Sequence, residues 1–310
     1  MPTPAAVWET LARVEPRYVA VALLFHLANI GFRSLAWRNV LRGAYPDRRV
    51  PFLGVAGAYA AGMALNAFTP ARGGDLVKIA LARTRIRGSS VPTIAASMGV
   101  VTLLDAVVAG VVILLLAAFG VLPALPGLPE LPAAAGVVGT HPVLAAAGVA
   151  LAVAVAVLAG RRFAPRLRSA WIDLKAGASI LRSPRRYVTE VVPVQLSAWA
   201  CRIGAAYFLL AAFGVPATLA AAVIVVVAGG LSTVVPTPGG VGTQQVLLAY
   251  LLHATASTAT IVSFSLGMQA AITTLNLCIG LAAAMLMLRT LRPAGALRAH
   301  VRALRAEAAG

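Results

Sequence analysis

Six ionisable residues, Arg33, Arg72, Asp75, Lys78, Asp105 and Arg202, lie in or beside strongly apolar stretches of the sequence. A charge at the centre of a membrane helix costs about 2.5–3.5 kcal/mol, so such residues face a bundle interior or a wet cavity and find partners there. The chemistry they offer is recognition and charge balance. Arg72 and Arg202 can contact a phosphate, while Asp75 and Asp105 can balance those charges or accept a proton. Within TPARGGDLVK, Thr69 to Lys78, an internal ion pair of Arg72 with Asp75 is the plain structural reading, and the cost of burial favours a polar path. Arg33 and Arg202 can each meet an anionic headgroup or pair with Asp105. The two readings balance at Arg202, and at Arg33 snorkelling toward the interface argues against a functional role.

A second source of chemistry is backbone. VVPTPGGVGTQQ, Val234 to Gln245, places Pro236, Pro238, Gly239, Gly240 and Gly242 where a membrane helix would otherwise continue. Proline removes a donor and glycine permits close approach, so peptide groups are freed from the helical ladder. At membrane depth such backbone is tolerated only when buried in protein or lining a cavity. A helix starting after Gly242 aims the N–H groups of its first turn at that cavity, which suits a phosphate or carboxylate. Gln244 and Gln245 add neutral hydrogen-bonding groups. Pro70 and Gly74 form the corresponding tip in the earlier segment.

Other chemistries lack their residues. The sequence has no HExxH, no GxSxG, no P-loop and no paired acidic metal motif. The expectation is a non-enzyme with no metal and no cofactor. Cys201 and Cys278 each stand alone in apolar segments and read as small buried residues. His26 and His253 read as interfacial imidazoles near segment ends, and Asn66, Gln269, Asn276, Thr273 and Thr274 as interhelical glue.

The elements that must position these groups are membrane helices. The chain has 310 residues, 60% hydrophobic and 11% charged, with a mean hydropathy of +0.88, far from the roughly 25% charge of soluble domains. Several apolar runs reach the roughly 20 residues that span a bilayer, and the alternation of a membrane barrel is absent. The expected fold is an all-α integral membrane protein, a polytopic helical bundle. Spans are read at about residues 18–41, 92–121, 141–160, 187–213 and 260–288. Between the second and third lies LPALPGLPELP, a proline-rich connecting loop. Residues 1–17 form an N-terminal segment, 18–288 a single transmembrane domain, and 289–310 a basic tail.

Net charge is +17, which in a soluble chain would suggest nucleic acid. Here the basic residues flank the apolar runs and no nucleic-acid motif accompanies them, so they read as cytoplasmic flanks facing anionic lipid. Residues 161–186 form an amphipathic cytoplasmic segment rich in arginine. Positive-inside places that segment and the tail in the cytoplasm of a multi-pass inner-membrane protein, with the proline-rich loop outside. It also bounds the two broken segments, about 51–83 and 217–253. The first has basic flanks and so enters and leaves from the cytoplasm; the second has uncharged flanks and enters and leaves from outside. They read as two re-entrant or broken-helix hairpins of opposite orientation. Thr69 to Gly74 aligns without gaps to Thr237 to Gly242, which makes them a candidate inverted repeat of the kind transporters use.

The two tips resemble known motifs. TPARGGDLVKIALAR resembles the Pro-x-x-x-Gly-Asp/Glu and basic motif, and VVPTPGGVGTQQVLLAYLL the Pro-x-Pro-Gly-Gly-hydrophobic-Gly motif, of the lysylphosphatidylglycerol synthase transmembrane-region family. QLSAWACRIGAAYFLLAAFGV resembles its tryptophan-containing segment. The likeness covers about residues 18–288, with Pro70, Gly74 and Asp75 matching the first motif and Pro236, Pro238, Gly239, Gly240 and Gly242 the second. It departs at Gln245, where an acid is common, and at Thr102, where an arginine usually precedes the aspartate that is here Asp105. In multidomain relatives, the resemblance implies, this region flips aminoacylated phospholipid between leaflets while a separate soluble domain makes it. That domain has no counterpart after residue 288, so the chain is expected not to synthesise the lipid itself, and a separate lipid-modifying enzyme is an expected partner.

Two functions follow. One is a lipid flippase or transporter moving a phospholipid or polyprenyl-linked lipid, whose anionic or phosphate-containing headgroup meets Arg72, Asp75, Arg202, Gly239, Gly240, Gly242, Gln244 and Gln245. The other is a non-catalytic scaffold or accessory subunit in lipid or envelope biosynthesis, with the tips as structural plugs.

Overall fold

A computed structural model describes residues 13–69, 73–120, 175–232 and 242–288. Among them the regular structure is helical, without a strand. The helices are α1 (Pro16–Ala44), α2 (Phe52–Asn66), α3 (Gly74–Arg85), α4 (Val91–Ala118), α5 (Pro184–Glu190), α6 (Val192–Ala212), α7 (Leu219–Ser232), α8 (Thr243–Leu251) and α9 (Thr258–Leu288), with one 3₁₀ turn, Ser179–Arg182. Among the described residues four stretches are long and apolar enough to cross a membrane: α1, α4, α5 with α6, and α9. The chain is therefore a multi-span membrane protein. The spans expected at 18–41, 92–121, 187–213 and 260–288 are these four, each within four residues at either end. The one expected at 141–160, the proline-rich loop, residues 161–174 of the amphipathic segment and the tail lie outside the described residues.

Local chemistry sets the helix ends. Pro16 opens α1, where its missing N–H would be unpaired anyway. Before Pro46, Tyr45 leaves the helical region and its N–H closes the turn on the Leu41 carbonyl at 2.9 Å. Ser90 caps α4 by accepting from the Thr93 amide at 3.3 Å. Pro193 cannot donate back to Thr189, and the chain breaks at Val191 between α5 and α6. Gly214, at φ +68°, closes α6: its N–H meets the Ala211 carbonyl at 3.2 Å and that of Val215 the Leu210 carbonyl at 3.0 Å, a Schellman arrangement.

The two segments expected to be broken are broken. At 1.5 Å per residue α2 is about 22 Å long, α3 about 18 Å, α7 about 21 Å and α8 about 14 Å, each short of the roughly 30 Å hydrocarbon core. α2 packs on α3, and α7 on α8. Close backbone contact makes the first pair tight. A methyl on Gly74 would strike the Gly62 carbonyl and lie 2.7 Å from Asn66 Oδ1, and one on Gly62 would strike Lys78. Glycine at both positions is therefore a packing requirement.

The apolar core falls into two clusters. One joins α2 and α3 through Val55, Ala58, Val77 and Leu81; the other joins α7 and α8 through Ile224, Val225, Leu248 and Leu252. Each long helix contributes one end to each cluster. α1 passes from Ala22 in the second to Trp37 in the first, α4 from Ile94 in the first to Leu116 in the second, α6 from Val194 to Trp199 in the same sense, and α9 from Phe264 back to Ala284. The molecule is thus layered along its long helices, with one broken pair per layer. α1 and α6 run antiparallel, since Gly204 faces Phe25 while the Asn39 amide donates to the Glu190 carbonyl at 2.7 Å.

Candidate functional site

Where the long helices change from one apolar cluster to the other, they carry polar side chains. On α1 these are His26, Asn29 and Arg33, on α4 Asp105, on α6 Gln195, and on α9 Asn276. Hydrogen bonds join most of them across the layer boundary.

Asp105 is the hub. Arg33 Nη2 forms the ion pair with Asp105 Oδ2, so of the two arginines considered as partners it is Arg33 that pairs. Snorkelling does not occur, because Arg33 is only 15% exposed and reaches inward. The other carboxylate oxygen, Oδ1, accepts from Gln195 Nε2 at 2.5 Å and Trp199 Nε1 at 3.0 Å. Three donors from α1 and α6 thus converge on one carboxylate of α4. Arg33 Nε also donates to Tyr59 Oη on α2 at 2.5 Å.

Toward the first broken pair, Lys78 continues the chain. Its ammonium lies 4.5 Å from the centre of the Tyr59 ring and 2.8 Å from Asp75 Oδ1, and its side chain is 5% exposed. Asp75 is further met by Asn66 Nδ2 at 3.4 Å, while Asn66 Oδ1 accepts from the Gly74 amide at 2.8 Å. Asn66 therefore ties the end of α2 to the start of α3. Within the described residues Asp75 takes Lys78 as its cation; Arg72, the partner expected from sequence, lies outside them with Pro70.

Toward the second pair the charge pattern changes. The sequence has no Asp or Glu between Glu190 and Glu307. Arg202 stacks its guanidinium 5.6 Å from the centre of the Trp199 ring, the indole that donates to Asp105. Its Nη2 reaches the Val226 carbonyl on α7 at 3.4 Å. Gln244 Nε2, from the first turn of α8, and Arg202 Nη2 both approach Gly229, at 3.5 and 3.9 Å from where a methyl there would sit. Gly242 holds φ +86°, open to glycine and strained for other residues, and its amide donates to Gln245 Oε1 at 2.6 Å. Gln245 Nε2 donates in turn to Gln269 on α9 at 2.7 Å. Pro236, Pro238, Gly239 and Gly240 lie outside the described residues.

The structure therefore brings Asp75, Asp105, Arg202 and Gln244 onto one polar seam and assigns Gly242 and Gln245 to the start of α8. Three seam residues were not singled out from sequence: Tyr59, Gln195 and Trp199. Gln195 is a lone amide in an apolar run and is fully buried. Tyr59 is a single hydroxyl among small residues. His26 corrects the interfacial reading: it is buried against α9, with Nε2 2.9 Å from Asn276 Oδ1, because α1 extends ten residues beyond it toward its N-terminus. His253 is exposed, its Nδ1 donating to the Tyr250 carbonyl at 2.7 Å. Among the described residues no group of three or more His, Cys, Asp or Glu is placed to hold a metal.

A family model described as the lysylphosphatidylglycerol synthase TM region matches residues 3–280, a span that contains both broken pairs and the whole seam. No curated protein matches the chain.

Proposed function

Because the chain belongs to the lysylphosphatidylglycerol synthase transmembrane-region family, we propose that it moves a phosphate-containing lipid between leaflets, its headgroup travelling along the polar seam while its tails stay in the bilayer. One observation carries this reading. A continuous line of side chains runs from Asn66, Asp75 and Lys78 through Tyr59, Arg33, Asp105 and Trp199 to Arg202, linking one broken helix pair to the other across the boundary between two apolar layers. Cohesion of a membrane bundle does not require ionised groups, since close packing and neutral interhelical hydrogen bonds hold helices together. The cost of burying five ionisable groups is rational if they serve a polar cargo. On the seam Arg33, Lys78 and Arg202 outnumber Asp75 and Asp105 by 3 − 2 = +1, which suits an anionic headgroup.

In this reading Arg202 and Gln244 contact the phosphate near the start of α8, and Arg72 does so at the other tip. The two pairs are re-entrant from opposite faces and related as an inverted repeat. That arrangement agrees with each pair keeping to its own layer and with helices too short to span. The protein lies in the inner membrane with its C-terminus in the cytoplasm, as the basic flanks favour. It performs no covalent chemistry and works beside a separate lipid-modifying enzyme. Reconstitution tests the reading. Purified protein in liposomes with fluorescent phosphatidylglycerol, phosphatidylethanolamine or polyprenyl-phosphate probes should accelerate leaflet exchange, read by dithionite quenching. Arg202→Gln should slow it about tenfold or more, the loss of a hydrogen bond to a charged group. No acceleration with any of these lipids would defeat the proposal.

A further inference from the structure

The two ion pairs of the seam meet at a single residue. Tyr59 accepts from Arg33 through its hydroxyl and receives Lys78 on its ring face. Its two sides therefore serve different cations: one is bound to Asp105 and so to α4 and α6, the other to Asp75 and so to the tip of α3. The ring is held in place by α1, with Trp37 tilted against it at 6.5 Å between ring centres.

We propose that Tyr59 is a positioning residue that couples the first broken helix pair to the Asp105 hub, so that a phosphate drawing Lys78 away from Asp75 also tightens the hold of the Tyr59 hydroxyl on Arg33. The inference rests on the lipid-transport reading for its consequence, but not for its existence. A cation leaving the ring face changes the field at the hydroxyl of the same ring. The hydroxyl then becomes a different acceptor for Arg33. Arg33 shares Asp105 with Gln195 and Trp199, so the change reaches Trp199 and, through its ring, Arg202. The two tips would thus sense one another through side chains already in contact. Neither tip need move for the other to register an occupied site.

Two measurements separate this inference from the transport reading. In the full chain labelled with 5-fluorotryptophan, with the Trp199 resonance assigned by Trp199→Phe, Lys78→Gln should shift that resonance. The shift should vanish when Tyr59→Phe is also present, since phenylalanine keeps the ring and removes the acceptor. No lipid cargo is needed. Persistence of the shift in the Tyr59→Phe background, or its absence in the Tyr59 protein, would overturn the coupling even if exchange assays succeed. In liposomes, Tyr59→Phe should slow leaflet exchange about tenfold or more. Combined with Arg33→Gln it should be no slower than Arg33→Gln alone, as expected of residues acting as one unit. Purely structural packing would give additive losses, and exchange at the wild-type rate would remove the functional role. If Tyr59→Phe does not fold, Arg33→Lys breaks the same hydroxyl contact from the other side and should abolish the same resonance shift. Wild-type protein that fails to exchange lipid but shows the Tyr59-dependent shift would sink the transport proposal and leave the coupling standing.

Discussion

At the scale of single residues, Asp105 is the most consequential side chain. Replacing it with asparagine keeps the shape and removes the counter-charge of Arg33 while two other donors still point at the site. Breaking a buried ion pair by removing one partner costs about 3–5 kcal/mol. Asp105→Asn should therefore lower the detergent-solubilised melting temperature markedly, and Asp75→Asn less, because Lys78 keeps the face of the Tyr59 ring while at Asp105 an amide nitrogen would confront one of three converging donors. A fluorimetric melt of both variants checks the order; equal shifts would contradict the hub. The charged members of the seam were legible because charge in an apolar run is conspicuous. Their pairing was not: Arg33 and Arg202 stand equally well against Asp105 in sequence, and only the antiparallel register of α1 on α6 distinguishes them. Tyr59 and Gln195 escaped because a lone hydroxyl or amide in a small-residue helix looks like any other until burial and a carboxylate are seen beside it.

At the scale of elements, the breaks were the most readable feature, since proline and glycine act on the backbone locally and need no tertiary context. What sequence did not reveal is why particular glycines are needed. Gly74 matched a motif, yet its reason is the Gly62 carbonyl lying where a methyl would go. Gly74→Ala should force α2 and α3 apart and cost about 1–3 kcal/mol, detectable as a lower melting temperature and as faster amide exchange at the α2 end. Gly242→Ala acts through the backbone itself, because φ +86° is unfavourable for alanine at about 1–3 kcal/mol. It should disturb the start of α8 and weaken the Gln245 to Gln269 contact while leaving the α2–α3 pair unchanged. If both substitutions affected the same helices, the two tips would not be separate elements.

At the scale of the whole molecule, the orientation of the broken pairs can be read by labelling. With Cys201 and Cys278 replaced by alanine, cysteines at the exposed positions Arg49 and Leu53 should react from the cytoplasm, and those at Pro216 and Ala254 from outside. Reaction from the opposite sides would exclude the inverted arrangement. Charge bias along the chain predicts the sides, but only the exchange of each long helix between clusters reveals the layering that gives them meaning.

That layering also has a mechanical side. Phe264 belongs wholly to one cluster and Trp37 wholly to the other, so Phe264→Ala and Trp37→Ala should weaken the fold independently, their effects adding to within about 0.5 kcal/mol. Between the clusters the ion pair and hydrogen bonds of the seam are directional, so they lose strength over short displacements in a way that dispersed apolar packing does not. The bundle resembles a casting made in two halves. Its parting line follows the route a headgroup would take under the proposed function, and a joint made of directional polar contacts is the one that such passage would have to open.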